Sequence, residues 1–522
     1  MGLPVPKEGF TAPAPVIPLK PIQEEDELLL LLASTEYRLF RDQLDRPFMF
    51  VKWGGRAHLF QIGSKRFITW VRTVAKEGGR KIPSNDTIKN LVALLEHTTE
   101  EGGVIEPVYY RVAPYRDQQA QEDKILLDLG NQDQEYVEVG PGGWSIKKGE
   151  CPVYFHRTDG MKALPRPERN GDLRELQTLL NLGEETNFKK AVGWLLATIN
   201  PSGPYPVLVI SGPDGSAKST AARELRSLVD PHAVPLLKPM HEEKLLLVAK
   251  TSWVVAVDNV SNIAPAFSDA LCRLATGSGD IKRKLYADDE PLLSYLTRPV
   301  VLNGIPDTLV SRPDLLSRML SLHLEAIPDS KRRLEREVIA DMEAARPRLL
   351  GALVDAVSTG LKNRATTKLK VMPRMADLAQ WVESCGPALG WEPGAFTHIL
   401  LSDRKDQDGA VLGEWSVFPV LEHVLSDLGV VDTTMQGLLD RLNERAGDKQ
   451  KRWDWPKTAK GLGTQISRNM NVLDRAGFVV EKPKQKTNKG QRIIIFRKSD
   501  AEALPVGGSD GVLEKGHSQG HT

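Results

Sequence analysis

Nine consecutive residues, Gly212, Pro213, Asp214, Gly215, Ser216, Ala217, Lys218, Ser219 and Thr220, fit the pattern G-x-x-x-x-G-K-[ST] at every fixed position but one, where Ala217 replaces glycine. The pattern suits a nucleoside triphosphate, here ATP with Mg2+. Backbone N–H groups wrap the phosphates, and the positive end of the following helix adds to their field. Lys218 neutralises the β and γ charges, and the Ser219 hydroxyl ligates magnesium. If position 217 needs positive φ, alanine there costs about 1 to 2 kcal/mol. Such a loop is also compatible with an ordinary glycine turn carrying a solvated lysine.

Two further runs end in residues that could serve the same phosphates. Residues 253–258 (W-V-V-A-V-D) are an apolar run holding Asp258 at its end, where a carboxylate can reach magnesium through water. Many aspartates in that position are instead turn formers or caps. Asn259 follows, an amide where a second acid would polarise attacking water. Residues 297–304 (T-R-P-V-V-L-N-G) end in Asn303, whose amide can donate to a γ-phosphate and orient water, although Asn-Gly is also a common turn.

These residues need strands to hold them. Runs 207–210, 254–257 and 300–302 are short and β-branched, and helical stretches alternate with them. That pattern predicts a parallel sheet covered on both faces, hence an α/β fold with a P-loop NTPase core. With 522 residues, 41% hydrophobic and 26% charged, the chain can pack several domains. The reading is a disordered leader over 1–25, with six prolines, and an accessory α/β domain over 26–170. That domain has helices at 65–76 and 85–99 and strands at 108–112, 125–129 and 136–139. The ATPase core follows over 171–330 after a proline- and charge-rich linker at 166–171. A helical region spans 331–430, a winged-helix domain 431–499, and a disordered tail 500–522. Three cysteines, Cys151, Cys272 and Cys385, form no disulfide or zinc pattern. The longest apolar run, 28–33, is too short to span a bilayer, so the expectation is a cytoplasmic protein without membrane contact.

The order of these motifs resembles the superfamily 3 helicases, AAA+-type motors of phages, plasmids and integrated elements. The resemblance covers roughly 172–396. It rests on the glycine loop, Asp258, the segment 271–286 (L-C-R-L-A-T-G-S-G-D-I-K-R-K-L-Y) and 298–304. It implies that Asn303 acts as the sensor of the γ-phosphate and that Arg318 reaches into a neighbouring subunit's ATP, with Arg312 the next candidate. A shared site of that kind implies a ring, a hexamer, acting on single-stranded DNA. The family also places a basic hairpin in the ring channel, where Lys282, Arg283 and Lys284 fall; read alone, the same charges are balanced by Asp288, Asp289 and Glu290. Ala217 and Asn259 depart from the family pattern.

Net charge is only +1, yet residues 432–498 carry 16 Lys and Arg against 7 Asp and Glu. Helices at 434–446, 458–462 and 464–476, then two strands flanking a lysine-rich loop, form a winged-helix pattern. Its recognition helix would present Gln465, Arg468 and Asn469 to double-stranded DNA, with Lys482, Lys484, Lys486 and Lys489 on the phosphate backbone. The same fold can also serve protein contacts. The expectation is a replication helicase or translocase working with DNA and other replication proteins; the alternative is an ATP-switched initiator or regulator that never unwinds.

Overall fold

A computed structural model describes residues 36–277, 279–283, 291–304, 313–481 and 493–498. The expected leader and tail, Lys284, Arg312 and the four wing lysines lie outside these residues. The chain divides into two compact units, 1–403 and 404–522.

The first unit opens with an antiparallel meander of β1 (Tyr37–Arg41), β2 (Pro47–Trp53) and β3 (Arg56–Gln61), which the sequence reading had not placed. Helices Lys65–Glu77 and Asn85–Gly102 cover it, capped by Ser64 and Ser84 hydroxyls that accept from the N–H groups of Phe67 and Thr87. Their shared core holds Met49, Val51, Phe67, Trp70 and Leu91. β4 (Val108–Tyr109) leads into a second meander of β5 (Val112–Asp117), β6 (Glu122–Asp128), β7 (Glu135–Gly140) and β8 (Gly143–Lys148), and β9 (Tyr154–Phe155) then pairs with β4.

Four parallel strands follow: β10 (Val207–Ser211), β11 (Val255–Val260) and, after the antiparallel hairpin of β12 (Gly279–Arg283) and β13 (Pro291–Tyr295), β14 (Val300–Gly304) and β15 (Met319–His323). Their order is β11-β14-β10-β15, so the strand ending in Asn303 lies between the one ending near Asp258 and the one leading to the glycine loop. Parallel strands need both faces covered. Helices Glu185–Ile199, Lys218–Val229 and Pro265–Thr276 supply much of that cover, and β10, β11 and β14 are buried almost throughout.

The meander β5–β8 is no separate accessory domain, because Val137, Val139 and Trp144 belong to the same continuous core as Leu208, Val301 and Leu353. Trp144 Nε1 donates to Asp355 on the long helix at 2.7 Å, and the Ser358 hydroxyl donates to the Gly140 carbonyl at 2.6 Å. The expected linker at 166–171 is laid flush on that helix: the Glu168 N–H donates to the Pro347 carbonyl at 2.9 Å. A Cβ on Gly351 would sit 1.6 Å from the Glu168 carbonyl oxygen, and one on Gly171 1.9 Å from that of Arg348, so only glycine permits this contact. A buried Arg111 also reaches Asp230, whose carboxylate further accepts from the Val254 N–H, tying β5 to the parallel sheet.

The second unit contains helices Phe418–Leu428, Met435–Ala446 and Ala459–Arg475 around an antiparallel sheet of β16 (Val430–Thr434), β17 (Phe478–Glu481) and β18 (Ile493–Lys498), ordered β16-β18-β17. The compact unit therefore starts before the expected boundary at 431, and Phe418–Leu428 packs on the sheet and on Met435–Ala446. The two short helices expected at 458–462 and 464–476 are one helix. Gly461 and Gly463 look like breakers, but they let the chain pass close to the Thr458 cap and to Met435. Among the described residues no helix is long and apolar enough to cross a membrane.

Candidate functional site

The glycine loop leaves β10 and enters the helix Lys218–Val229, whose N-terminus faces it. Close approach of backbone to backbone explains Gly212, which has φ of 145°; a Cβ there would lie 2.2 Å from the Leu324 carbonyl oxygen. Ala217 sits in the left-handed region with φ 64° and ψ 32°, so the alanine carries the strain anticipated for it. Ala217→Gly is therefore expected to stabilise the first unit by about 1 kcal/mol. The check is a raised urea midpoint at unchanged slope; an unchanged or lowered midpoint would count against stored strain.

Lys218 curls over its own loop and donates from Nζ to the carbonyls of Gly212 and Pro213, both at 2.8 Å. Ser216 is fully buried, and its hydroxyl has no hydrogen-bond partner among the described residues. Ser219 Oγ donates to Asp258 Oδ1 at 2.8 Å, which brings together the two residues read as magnesium ligands. Asp258 is aimed there by an irregularity in β11: register with β14 slips between Val257 and Val260. Asn259 occupies the slip with φ of 55°, a conformation that asparagine tolerates far better than most residues. This gives position 259 a backbone reason for its amide.

Freed from the sheet ladder, the Asn259 N–H donates to Asn303 Oδ1 at 2.7 Å. That bond fixes which end of the Asn303 amide is oxygen, because a backbone donor must face an acceptor. Asn303 is 2% exposed, and its Nδ2 has no acceptor among the described residues. A buried, unanswered N–H2 between Asp258 and the loop is costly unless something accepts from it. Gly304 has no room for a side chain, since a Cβ would lie 2.1 Å from the Val260 carbonyl oxygen.

Two residues that the sequence reading missed complete the setting. Asn181 Nδ2 donates to the carbonyls of Ser216 and Glu325, clamping the loop to the segment after β15. Arg332 lies over the loop with Nη2 3.1 Å from where a Gly215 Cβ would be, ion-paired to Asp329 at 3.1 Å. Its only sequence signal is the basic run 331–333, which reads equally as a solvated surface. Loop amides, a helix N-terminus, Lys218, Arg332 and the Asn303 amide form a set of donors suited to phosphate oxygens. Among the described residues no group of three or more His, Cys, Asp or Glu side chains could hold a metal ion. Ser219 and Asp258 offer two oxygens, and magnesium typically takes the remainder from phosphates and water.

Arg318 stands apart from this set. It immediately precedes β15, and Met319 pairs with Val207 at the start of β10, whereas the loop follows the end of β10. Five strand residues separate the two edges, roughly 16 Å, so Arg318 does not reach its own chain's loop. Its Nη1 pairs with Asp314 at 2.5 Å, and Arg374 holds the same carboxylate at 2.6 Å. Burial alone would raise the Asp314 carboxyl, but these two arginines hold it below its ordinary value. Lys282 and Arg283 lie on β12 of the hairpin, in register with Leu292 and Pro291.

In the second unit the helix Ala459–Arg475 carries Arg468, exposed, and Asn469, half-buried. Gln465 is a correction. Trp415 Nε1 donates to its Oε1 at 2.9 Å, and its Nε2 donates to the Asp454 carbonyl at 2.7 Å. Both ends of that amide hold the unit together, so Gln465 is not offered to a base.

No curated protein matches the chain in sequence. Solved structures that align with it include the A-form apo structure of the NrS-1 C-terminal region, 11% identical with a TM-score of 0.40, covering 90% of this chain and 98% of that one. A further apo structure of that region is 13% identical, with a TM-score of 0.36, covering 91% and 99%. Such distant likenesses decide nothing about the site. Family models are more informative: residues 173–406 match the actinomycete integrative conjugative element replication protein, and residues 419–508 match the RepA C-terminal domain of the same elements. The first match contains the glycine loop, Asp258 and Asn303, and the second begins beside the helix Phe418–Leu428. Over these two successive stretches the chain is similar to the RepA replication proteins of mobile elements.

Proposed function

We propose that this replication protein is an ATPase of P-loop type, built on an AAA+-like core with a winged-helix DNA-binding domain, and that it drives or licenses DNA unwinding for its element. The observation that carries the reading is the buried Asn303 amide beside Asp258 and the loop, whose Nδ2 has no acceptor among the described residues. A γ-phosphate oxygen or the attacking water would answer it. Loop amides from Gly212 to Thr220 would cradle the phosphates. Lys218 would exchange the carbonyls of Gly212 and Pro213 for β- and γ-oxygens, and Ser219 and Asp258 would hold Mg2+. Bound magnesium would neutralise charge that develops on the phosphates. Arg332 adds a cation from the same chain.

Asn303→Ala is expected to lower ATP turnover by roughly tenfold to a hundredfold while leaving Mg-ATP binding within a few-fold. Parallel measurements of kcat and of nucleotide affinity test this. Equal losses in both, or no loss in kcat, would remove the γ-phosphate role. Arg318, on the far edge of the sheet, would serve a neighbouring subunit's nucleotide in a ring. β12 and β13 would form the hairpin that brings Lys282 and Arg283 to single-stranded DNA. In the second unit, Arg468 and Asn469 would face duplex DNA.

A second reading draws on Asn259. No carboxylate occupies the position beside Asp258, and the left-handed backbone there disfavours most replacements. A site that binds ATP firmly but hydrolyses it slowly suits an initiator that assembles on DNA and recruits other replication proteins. Strand displacement separates the two: ATP-dependent assembly without unwinding would favour the switch.

A further inference from the structure

In the second unit, Trp453 is 93% exposed, while Trp455, two residues on, is 5% exposed. Looseness does not explain the contrast, because the turn is fastened on all sides. Trp455 Nε1 donates to Asn443 Oδ1 at 2.9 Å, Asp454 accepts from the Ser416 N–H at 3.2 Å, and the Asp454 carbonyl accepts from Gln465. Arg452 pairs with Asp454 at 3.1 Å. An indole held out from an anchored turn exposes a large apolar surface with no return inside the chain.

Its surroundings say what would cover it. Lys449, Lys451, Arg452, Lys457 and Lys460 are all exposed; Lys451 pairs with Asp448 at 2.6 Å as Arg452 does with Asp454, and two surface ion pairs against five cations leave the stretch net positive. Protein-binding hot spots centre an aromatic in an apolar, charge-depleted patch. Here the other large exposed apolar side chain among the unit's described residues is Leu428. An exposed aromatic plane on a stretch rich in cations instead matches single-stranded nucleic acid, where bases stack and phosphates meet lysines. Intact duplex offers phosphates but no free base face.

We propose that Trp453 is a stacking platform for an unpaired base of single-stranded DNA, with the 449–460 cations following the adjacent phosphates. This rests on the DNA-binding half of the proposed function and is independent of the ATP site. The test uses the full chain without nucleotide, titrated against a labelled single strand, its duplex, and an abasic strand of equal length. Trp453→Ala is expected to weaken single-strand binding by about tenfold or more, with Trp453→Phe within about threefold of the parent. The salt dependence should keep its slope, since no phosphate contact is lost, and the parent and Trp453→Ala should bind the abasic strand alike. Undiminished binding by Trp453→Ala, an equal loss on the abasic strand, or a loss confined to duplex would overturn the assignment. Failure of the parent chain to bind any DNA would remove the DNA half of the proposed function as well, whereas binding that ignores Trp453 would sink the stacking site alone.

Discussion

Lys218→Ala is expected to weaken Mg-ATP binding strongly and to lower turnover by about 10²- to 10³-fold, the scale seen when one donor to developing charge is removed. In the absence of nucleotide Lys218 does little for the fold. It is half-buried, and its ammonium satisfies two loop carbonyls that the loop's geometry leaves near water. Thermal melting without nucleotide should therefore match that of the parent chain, while the stabilisation ATP confers on the parent by mass action should vanish. Unaltered nucleotide affinity in Lys218→Ala would dismiss the loop as a phosphate site, and with it both the motor and the switch.

Arg318→Ala should cut turnover by about 10³-fold or more, the range found for arginines supplied between subunits, with ATP affinity retained. Arg318 lies across the sheet from its own chain's loop, so any action on a nucleotide would be on that of another copy. Mixing Lys218→Ala with Arg318→Ala subunits should thus recover activity, since mixed assemblies contain sites with an intact lysine on one side and an intact arginine on the other. If Arg318 serves only its pairing with Asp314, mixing restores nothing and the variant melts earlier.

The strands that carry the site were readable because they are β-branched runs ending in Gly212, Asp258 and Asn303, each a residue with a reason to stop a strand. β15 was not, since Met319–His323 (M-L-S-L-H) has no β-branched residue and becomes a strand only by pairing with β10. The Asn303 role could be suspected from spacing, but its support depends on a buried nitrogen left without a partner, a property of packing alone. Asn181 and Arg332 were invisible for the same reason: nothing local distinguishes them from surface residues until the fold lays them on the loop. Gln465 misled because it lies on the helix expected to read DNA; its amide accepts from Trp415 and donates to the Asp454 carbonyl, partners on other elements that the fold alone brings to it. The first meander, β1–β3, was missed through mixed polarity, for β3 (R-A-H-L-F-Q) is half-buried along most of its length.

The seam where residues 168–171 lie on Pro347 to Gly351 bears on how such proteins can diversify. A proline-rich stretch between two folded parts looks like a natural place to exchange one of them. Here an exchange at that point would bring a foreign β-meander against a helix shaped, glycine by glycine, for this one. The two halves must therefore be inherited together, and variation is better accommodated after residue 403, where the second compact unit begins.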